Sequence, residues 1–247
     1  MRPALAIAVL LAVGAEARAD VSAPRKSTTP ATAARWLTAR DGLPAAVVAG
    51  GAIRGPREAV DCRWVTVGSR WRVVDRVGVT VGEARVTRLE RGELWPCKMA
   101  SFSGPRGRGR LLVERAAGPP VPTATWLPSD EDRAALARLV GGPSTDGDAL
   151  FFSTAAGRFA VATHRTRAVV VRWERAGAWA VVWQERAAAR PTEGGYERPA
   201  AIDLDGDGAP EVVVGWWRDT DYGDLVLQAA PDGSWRLVAR SFEGNTI

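Results

Sequence analysis

Hydrophobic and polar residues alternate over much of the chain, and the alternation predicts mainly β-structure. From Val60 onward, valine, threonine and tryptophan are interleaved with arginine, and turn-forming residues such as Gly68-Ser69 separate the runs. A period of two is typical of antiparallel strands that bury one face and leave the other in solvent. The pattern predicts strands over residues 62–67, 71–74, 77–81 and 84–89.

The strand pattern is more regular after residue 143. It predicts strands over residues 168–173, 179–184, 211–217, 224–228 and 235–240. Turn-forming residues such as Gly177 and Gly233 lie between them, and no helical periodicity intervenes, so these strands are expected to form an antiparallel meander. The predicted fold class is all-β or β-dominated, built of antiparallel meanders with one or two short helices.

Capping residues predict the two short helices. Thr29-Pro30 provides an N-cap and a proline at the first helical position, so a helix is expected over residues 31–40. Ser129 begins a second helix that runs to Val140, and Asp132, three residues further on, resembles the acidic partner of a capping box.

These elements divide the chain into five predicted segments. A signal peptide covers residues 1–19, and a flexible lead with the first helix covers 20–59. A disulfide-tied antiparallel β domain follows over 60–115. Residues 116–142 form a linker with the second helix, because four prolines fall between Ala116 and Pro128. A second β domain covers 143–247, so two modest domains are expected to meet near residue 142.

The N-terminus has the pattern of an export signal. Met1-Arg2-Pro3 is short and basic, an apolar run covers residues 4–14, and the Ala17-Arg18-Ala19 motif predicts cleavage before Asp20. A buried N-terminal helix or a membrane anchor is the alternative. No later run reaches the length of a membrane span. The expected location is therefore periplasmic or secreted, without a membrane span.

The positive charge is weak evidence for an anionic partner. The formal charge is +5 and the isoelectric point is about 10.0. Of the 33 basic residues only Lys26 and Lys98 are lysines, and so strong a preference for arginine is what GC-rich codon usage produces. The glycine-rich segment 103–109 carries Arg106 and Arg108 but lacks the Gly-Lys-Ser/Thr ending of a phosphate-binding P-loop. A solvated loop and no nucleic-acid partner are therefore expected.

Two cysteines are expected to pair. Cys62 and Cys97 lie in the same predicted β domain, and in an oxidising compartment such a pair is typical of a disulfide. The bridge would stabilise the fold by about 3–4 kcal/mol through the entropy of the unfolded chain. Two buried free thiols are the alternative.

One loop has the residues of a calcium site. Carboxylates stand at positions one, three, five and nine of this loop, and the carbonyl at position seven supplies a further oxygen: Asp203, Asp205, Asp207, Glu211 and Ala209. Calcium takes six to eight oxygen ligands, which known loops supply from alternate positions. An EF-hand needs a glutamate at position twelve, where this chain has Val214. An acidic turn that binds nothing is the alternative.

The loop and the strand that follows it resemble an FG-GAP or VCBS repeat over residues 196–241. The shared pattern is D-x-D-G-D-G, an acidic residue at position nine, a valine-rich strand and Gly215. The resemblance implies a β-propeller blade unit whose hairpin loop binds Ca²⁺ through the residues named above. The chain departs from the family in having Tyr196-Glu197 in place of Phe-Gly, and it contains one copy only.

The function expected from these features is non-enzymatic. We expect an exported, calcium-stabilised binding or structural module of the cell envelope or secretome, with an envelope protein or glycan as partner. Trp216, Trp217 and Tyr222 are the candidate ligand surface beside the loop. The rival hypothesis is a periplasmic glycan hydrolase that uses paired carboxylates, for which the candidates are Asp219, Asp221 and Asp224.

Overall fold

Antiparallel strands dominate the fold, which confirms the predicted class. The computed structural model describes residues 34–40, 42–55, 65–90, 99–142, 148–187, 194–218 and 221–241, and residues 31–247 form one compact unit. The predicted signal peptide, Cys62, Cys97 and Asp219 lie outside the described residues. No helix in the described ranges has both the length and the hydrophobicity to cross a membrane.

The N-terminal sheet has seven strands, all paired antiparallel. Its spatial order is β3-β2-β1-β7-β4-β5-β6. The strands are β1 (Ala34–Thr38), β2 (Pro44–Ala49), β3 (Ala52–Arg54), β4 (Arg70–Val74), β5 (Thr80–Glu90), β6 (Met99–Ser103) and β7 (Leu111–Glu114). In β5 the side chains of Ala84 and Val86 are buried while those of Arg85 and Thr87 face solvent, as the alternation predicts.

Two four-stranded antiparallel meanders follow. The middle sheet has the order β11-β10-β9-β8 and the C-terminal sheet the order β12-β13-β14-β15. The strands are β8 (Ala149–Thr154), β9 (Gly157–His164), β10 (Arg167–Arg175), β11 (Ala178–Arg186), β12 (Gly194–Ile202), β13 (Glu211–Arg218), β14 (Asp221–Ala229) and β15 (Trp235–Arg240). All five strands predicted in this part of the chain are present.

The C-terminal sheet is buried on both faces. Val213 packs in a cluster with Trp36 of the N-terminal sheet, whereas Val212 and Val214 pack against Phe159 and neighbouring residues of the middle sheet. A run of three valines suits a strand that has no solvated face. The N-terminal sheet therefore shares its core with residues from beyond position 142.

Helix α1 (Asp130–Val140) covers the other face of the middle sheet. Leu136 and Val140 pack with Ala160 and Val169. Both capping-box hydrogen bonds are present at the N-terminus between Ser129 and Asp132, and Gly141 ends the helix in the left-handed conformation. This helix was predicted from its caps, and the structure confirms it.

Three local predictions were wrong. Residues 34–38 of the predicted first helix form strand β1, because Trp36 and Leu37 are buried between β2 and β7 and this burial outweighs a local helix preference. Within the predicted strand 62–67, Val65 to Val67 have no strand structure. The predicted strand 77–81 begins with a turn around Gly78, and β5 starts at Thr80.

Candidate metal centre

The acidic loop connects β12 to β13 and is positioned by their pairing. Ile202, the last residue of β12, lies opposite Glu211, the first residue of β13. Asp203 directly follows Ile202 in the chain, so this pairing brings Asp203 and Glu211, the two ends of the loop, close together. The regular ladder below them holds both carboxylates at one end of the C-terminal sheet.

Three carboxylates converge at this end of the sheet. One oxygen from each of Asp203, Asp205 and Glu211 lies within 4.8 Å of the others. Only 3% of Asp203 and 1% of Glu211 is exposed, and Asp205 is half-buried. Buried carboxylates this close together require a counter-charge or protonation. The triad could therefore hold a metal ion.

The loop backbone orients Asp203. The N–H groups of Gly206 and Gly208 donate to its two carboxylate oxygens, at 2.8 and 3.1 Å. Both glycines have positive φ, 78° and 90°, a conformation that costs other residues free energy. The two glycines thus allow the sharp turns of the loop, and each directs its N–H to the same carboxylate.

Glu211 is oriented by groups distant from it in the sequence. The Leu204 N–H donates to one oxygen at 2.9 Å, and the Gln228 amide from β14 lies 3.4 Å from the other. Gln228 also lies 3.4 Å from Asp205. The carbonyl of Leu204 in turn accepts from the Trp36 indole at 3.2 Å, which attaches the loop to β1.

The environment of the triad favours protonation when no cation is present. Burial, followed by the charges of Asp205 and the other loop acids, raises the pKa of Glu211 to about 8. Burial also raises the pKa of Asp203, against the opposing hydrogen bonds from Gly206 and Gly208. The pKa of Asp205 is raised, again chiefly by burial. A bound cation would reverse this preference by compensating the carboxylate charges directly.

Asp207 and Ala209 lie at the solvent side of the loop. Both are exposed, and the Asp207 carboxylate accepts the Ala209 N–H at 2.7 Å. Asp207 is not part of the close triad. The predicted ligand roles of Asp207 and of the Ala209 carbonyl therefore remain predictions.

The candidate aromatic surface is divided between core and solvent. Trp216 is buried against the middle sheet, and its indole N–H donates to the Ser241 carbonyl at 3.3 Å. Trp217 and Tyr222 are half-buried, and the Arg40 guanidinium lies 5.8 Å from the centre of the Tyr222 ring. Only Trp217 and Tyr222 are thus partly available to a ligand.

The carboxylates of the rival hydrolase hypothesis differ in environment. Asp224 is buried and forms an ion pair with the buried guanidinium of Arg110, so its charge is already engaged. Asp221 is half-buried at the start of β14. The described residues therefore provide no pair of free carboxylates at this position.

Gln228 and Trp36 were not predicted as parts of the site. Gln228 follows the continuous apolar run Leu225 to Leu227, and its proximity to the site depends on the pairing of β14 with β13. Trp36 lies 168 positions from the carbonyl that it contacts. Neither has a local sequence signal.

Comparisons with protein families, curated proteins and solved structures find no match to this chain.

Proposed function

We propose that loop 203–211 binds one calcium ion, and that the chain is an exported, non-enzymatic binding or structural module whose C-terminal sheet this ion stabilises. The observation that carries the proposal is the convergence of Asp203, Asp205 and Glu211 within 4.8 Å, two of them almost fully buried. An all-oxygen site with several carboxylates suits a hard divalent cation.

Calcium is favoured over magnesium because of the form of the loop. Calcium accepts irregular geometry and backbone carbonyl ligands, whereas magnesium demands near-ideal octahedral geometry and retains its water. Ala209 and Asp207, on the exposed side of the loop, are the proposed remaining ligands. Water would complete the coordination there.

The FG-GAP or VCBS assignment remains part of the proposal. Its support is the position of the acidic loop in a β-hairpin of a four-stranded antiparallel meander, which is the form of one propeller blade. The middle sheet has the same meander form without the acidic loop, so it is the proposed second blade-like unit.

The non-enzymatic and exported character rests on two features. Asp224 is buried and paired with Arg110, so the rival hydrolase hypothesis lacks one of its free carboxylates. The N-terminal sequence 1–19 has the basic, apolar and small-residue segments of an export signal. A pull-down from envelope extracts tests for the expected protein or glycan partner.

Calcium should raise the melting temperature of the mature protein. An ion that binds only the folded state stabilises by about 2.7 kcal/mol at about a hundredfold excess over its Kd. We expect a clear shift with millimolar calcium and a smaller one with magnesium, measured by differential scanning fluorimetry. Asp205→Ala combined with Asp207→Ala should abolish the shift, while Glu174→Gln, an exposed acid on β10, should retain it. Identical melting in calcium and in excess chelator would refute the proposal.

A further inference from the structure

Three neighbouring cavities of the molecule have lining residues in common. The first, of about 760 Å³, is lined by Arg76, Trp126, Arg133 and Phe151 among others. Asp75 and Arg76 also line the second, of about 510 Å³. The second and third share Arg198 and two glycines of the loop before β7, and the third measures about 420 Å³. We call these three adjoining cavities the arginine groove.

Two positive charges of the groove, those of Arg106 and Arg198, are held in place by neutral groups. The Arg106 guanidinium donates to the carbonyls of Ala39 and Arg40 at 3.1 and 3.2 Å, and Arg198 donates to the Gly109 carbonyl at 3.1 Å. Carbonyl groups are neutral, so they orient these cations while leaving their full charge. Among the described residues, no carboxylate forms an ion pair with Arg106, Arg108 or Arg198.

Acidic groups at the groove are few. Glu197 pairs with Arg40 at 3.3 Å. One oxygen of Asp75 accepts the N–H groups of Val77 and Val79, at 3.0 and 2.9 Å. These N–H groups leave the negative charge of Asp75 in place, but among the described residues that line the three cavities Asp75 is the only acid, against seven arginines, two of which are paired with Glu197 and Asp224. The groove therefore has an excess of positive charge, which attracts multivalent anions in a concave site.

Arg198 occupies a strained position in the floor of the groove. Its φ is 53°, at a β-bulge where the pairing of β12 with β13 shifts. Burial and then the charge of Arg110 lower its pKa, against the opposing effects of Asp224 and Glu197. The left-handed conformation is costly for a residue other than glycine, and such strain is common at binding sites.

The far end of the groove is aromatic. Trp126 and Phe151 line it with ring centroids 5.6 Å apart, and Arg133 lies 5.6 Å from the centre of the Phe151 ring. The Trp126 indole N–H donates towards the carbonyls of Phe152 and Phe159, at 3.2 and 3.3 Å. The indole is thus fixed in place, and its ring is half-buried.

We propose that the arginine groove binds an anionic polysaccharide, whose carboxylate or sulfate groups lie over Arg106, Arg108 and Arg198 and whose sugar rings pack on Trp126 and Phe151. Each cavity has the volume of a site for one small ligand, so the joined groove suits an oligomer. The proposal deepens the binding-module part of the proposed function, and it does not depend on calcium.

The arrangement fits a polysaccharide better than other polyanions. Single-stranded nucleic acid is held by aromatic rings that stack successive bases along a basic groove. Here the aromatic rings lie at one end and the middle is lined by arginine and glycine. A charged membrane surface is flat, whereas these arginines line a concave channel. An acidic sugar chain provides anions at regular spacing and apolar ring faces.

The test is isothermal titration of the mature protein with an oligogalacturonate hexamer and a heparin hexasaccharide, with maltohexaose as the neutral control. We expect the two anionic oligomers to bind and the neutral one not to bind. Arg106→Gln with Arg108→Gln should weaken binding about tenfold, and increasing salt should weaken it further. Arg175→Gln with Arg236→Gln removes the same charge from exposed positions on β10 and β15 and should have no such effect.

One additional variant separates binding from folding, and a second tests the aromatic end of the groove. Arg108→Gln alone should weaken binding by a smaller factor without changing the melting temperature, because the Arg108 side chain is exposed. Trp126→Leu should weaken the binding of both anionic oligomers while leaving the salt dependence of binding unchanged. The double variant Arg106→Gln with Arg108→Gln is called the groove variant. Equal losses of affinity in the groove variant and in the Arg175/Arg236 control would overturn the proposal, because binding would then follow net charge alone.

Two further ligands test the polysaccharide assignment. Tighter, groove-dependent binding of a thymidine oligonucleotide or of anionic vesicles would assign the groove to another polyanion and overturn the assignment.

The groove variant should retain the calcium-dependent rise in melting temperature. Loss of the calcium response with intact oligosaccharide binding contradicts the metal proposal alone. Absence of oligosaccharide binding with an intact calcium response contradicts this proposal alone.

Discussion

Glu211 is the residue on which the metal centre depends most. It is 1% exposed, opens β13, and accepts the Leu204 N–H that holds the loop against the sheet. Its carboxylate lies near those of Asp203 and Asp205. Its ionised form therefore destabilises the folded state without a cation and stabilises it with one. The same side chain therefore opposes the folded state when the site is empty and stabilises it when the site is filled.

Glu211→Gln should separate these two effects. The amide retains an oxygen for the Leu204 N–H but removes the buried charge, so the calcium-free variant should be at least as stable as the native protein. The calcium-dependent gain, about 2.7 kcal/mol at about a hundredfold excess over Kd, should be lost. Chemical denaturation with and without calcium measures both quantities. A calcium response of native size in this variant would exclude Glu211 as a ligand.

At the scale of single elements, helix α1 shows how one acidic residue can fasten a helix to a sheet. Asp132 completes the capping box with Ser129, and it also accepts from the Trp173 indole and the Gly177 N–H, at 3.0 and 2.9 Å. Burial opposes its ionisation, but hydrogen bonds from Ser129, Gly177 and Trp173 outweigh burial and lower the pKa of Asp132. The ionised carboxylate thus ties α1 to β10 and to the turn before β11.

Asp132→Ala should destabilise the protein by about 2 kcal/mol, because several hydrogen bonds to a buried carboxylate are lost. Asp130→Ala is the matched control, since Asp130 is an exposed acid in the same helical turn, and its effect should be far smaller. Urea unfolding followed by tryptophan fluorescence measures the difference. Equal losses for the two variants would indicate that charge at the helix N-terminus matters and the specific contacts do not.

The same carboxylate predicts a pH dependence. Because its folded-state pKa lies below the ordinary value of 3.8, its contribution is complete above that value. The contribution is lost as the pH falls through the lower, folded-state pKa. The stability difference between the native protein and Asp132→Asn should therefore be constant from about pH 7 to pH 5 and should shrink towards about pH 2.5. A constant difference over the whole range would contradict the lowered pKa.

For the whole molecule, the C-terminal sheet is the element that unites the fold. It shares one core with the N-terminal sheet and another with the middle sheet, so each of these two sheets buries one of its faces against it. A buried ion pair reinforces the first contact. Arg110, just before β7, pairs with Asp224 of β14 and donates to the Arg198 carbonyl of β12 at 2.8 Å.

Removing one partner of this buried pair should strongly destabilise the folded protein. Arg110→Met leaves the Asp224 charge buried, so the free energy of unfolding should fall by about 3–5 kcal/mol. Arg110→Met combined with Asp224→Leu should recover most of that loss, because no charge then remains buried. Arg88→Met removes an exposed pair with Glu90 and should change stability by less than about 1 kcal/mol. A double variant as unstable as the single one would show that packing, and not the uncompensated charge, dominates.

Local signals in the sequence determined the elements whose causes are local. The strand pattern over residues 168–240 predicted β10, β11, β13, β14 and β15, because the arrangement of apolar and polar residues reflects the two faces of a strand; β12 (Gly194–Ile202) was not predicted. Ser129 and Asp132 predicted the start of α1, because a capping box acts within four residues. The acidic loop was evident for the same reason, since Asp203, Asp205 and Glu211 lie within nine positions of one another.

Only the tertiary structure decided the features that depend on distant partners. Residues 34–38 are a strand because β2 and β7 flank them, although their own sequence predicted a helix. Trp216 is buried by the middle sheet, and Gln228 reaches the metal centre through the pairing of β14 with β13. The groove arginines come from segments as far apart as Arg76 and Arg198. Burial and long-range pairing depend on the whole chain, so no short window of sequence contains them.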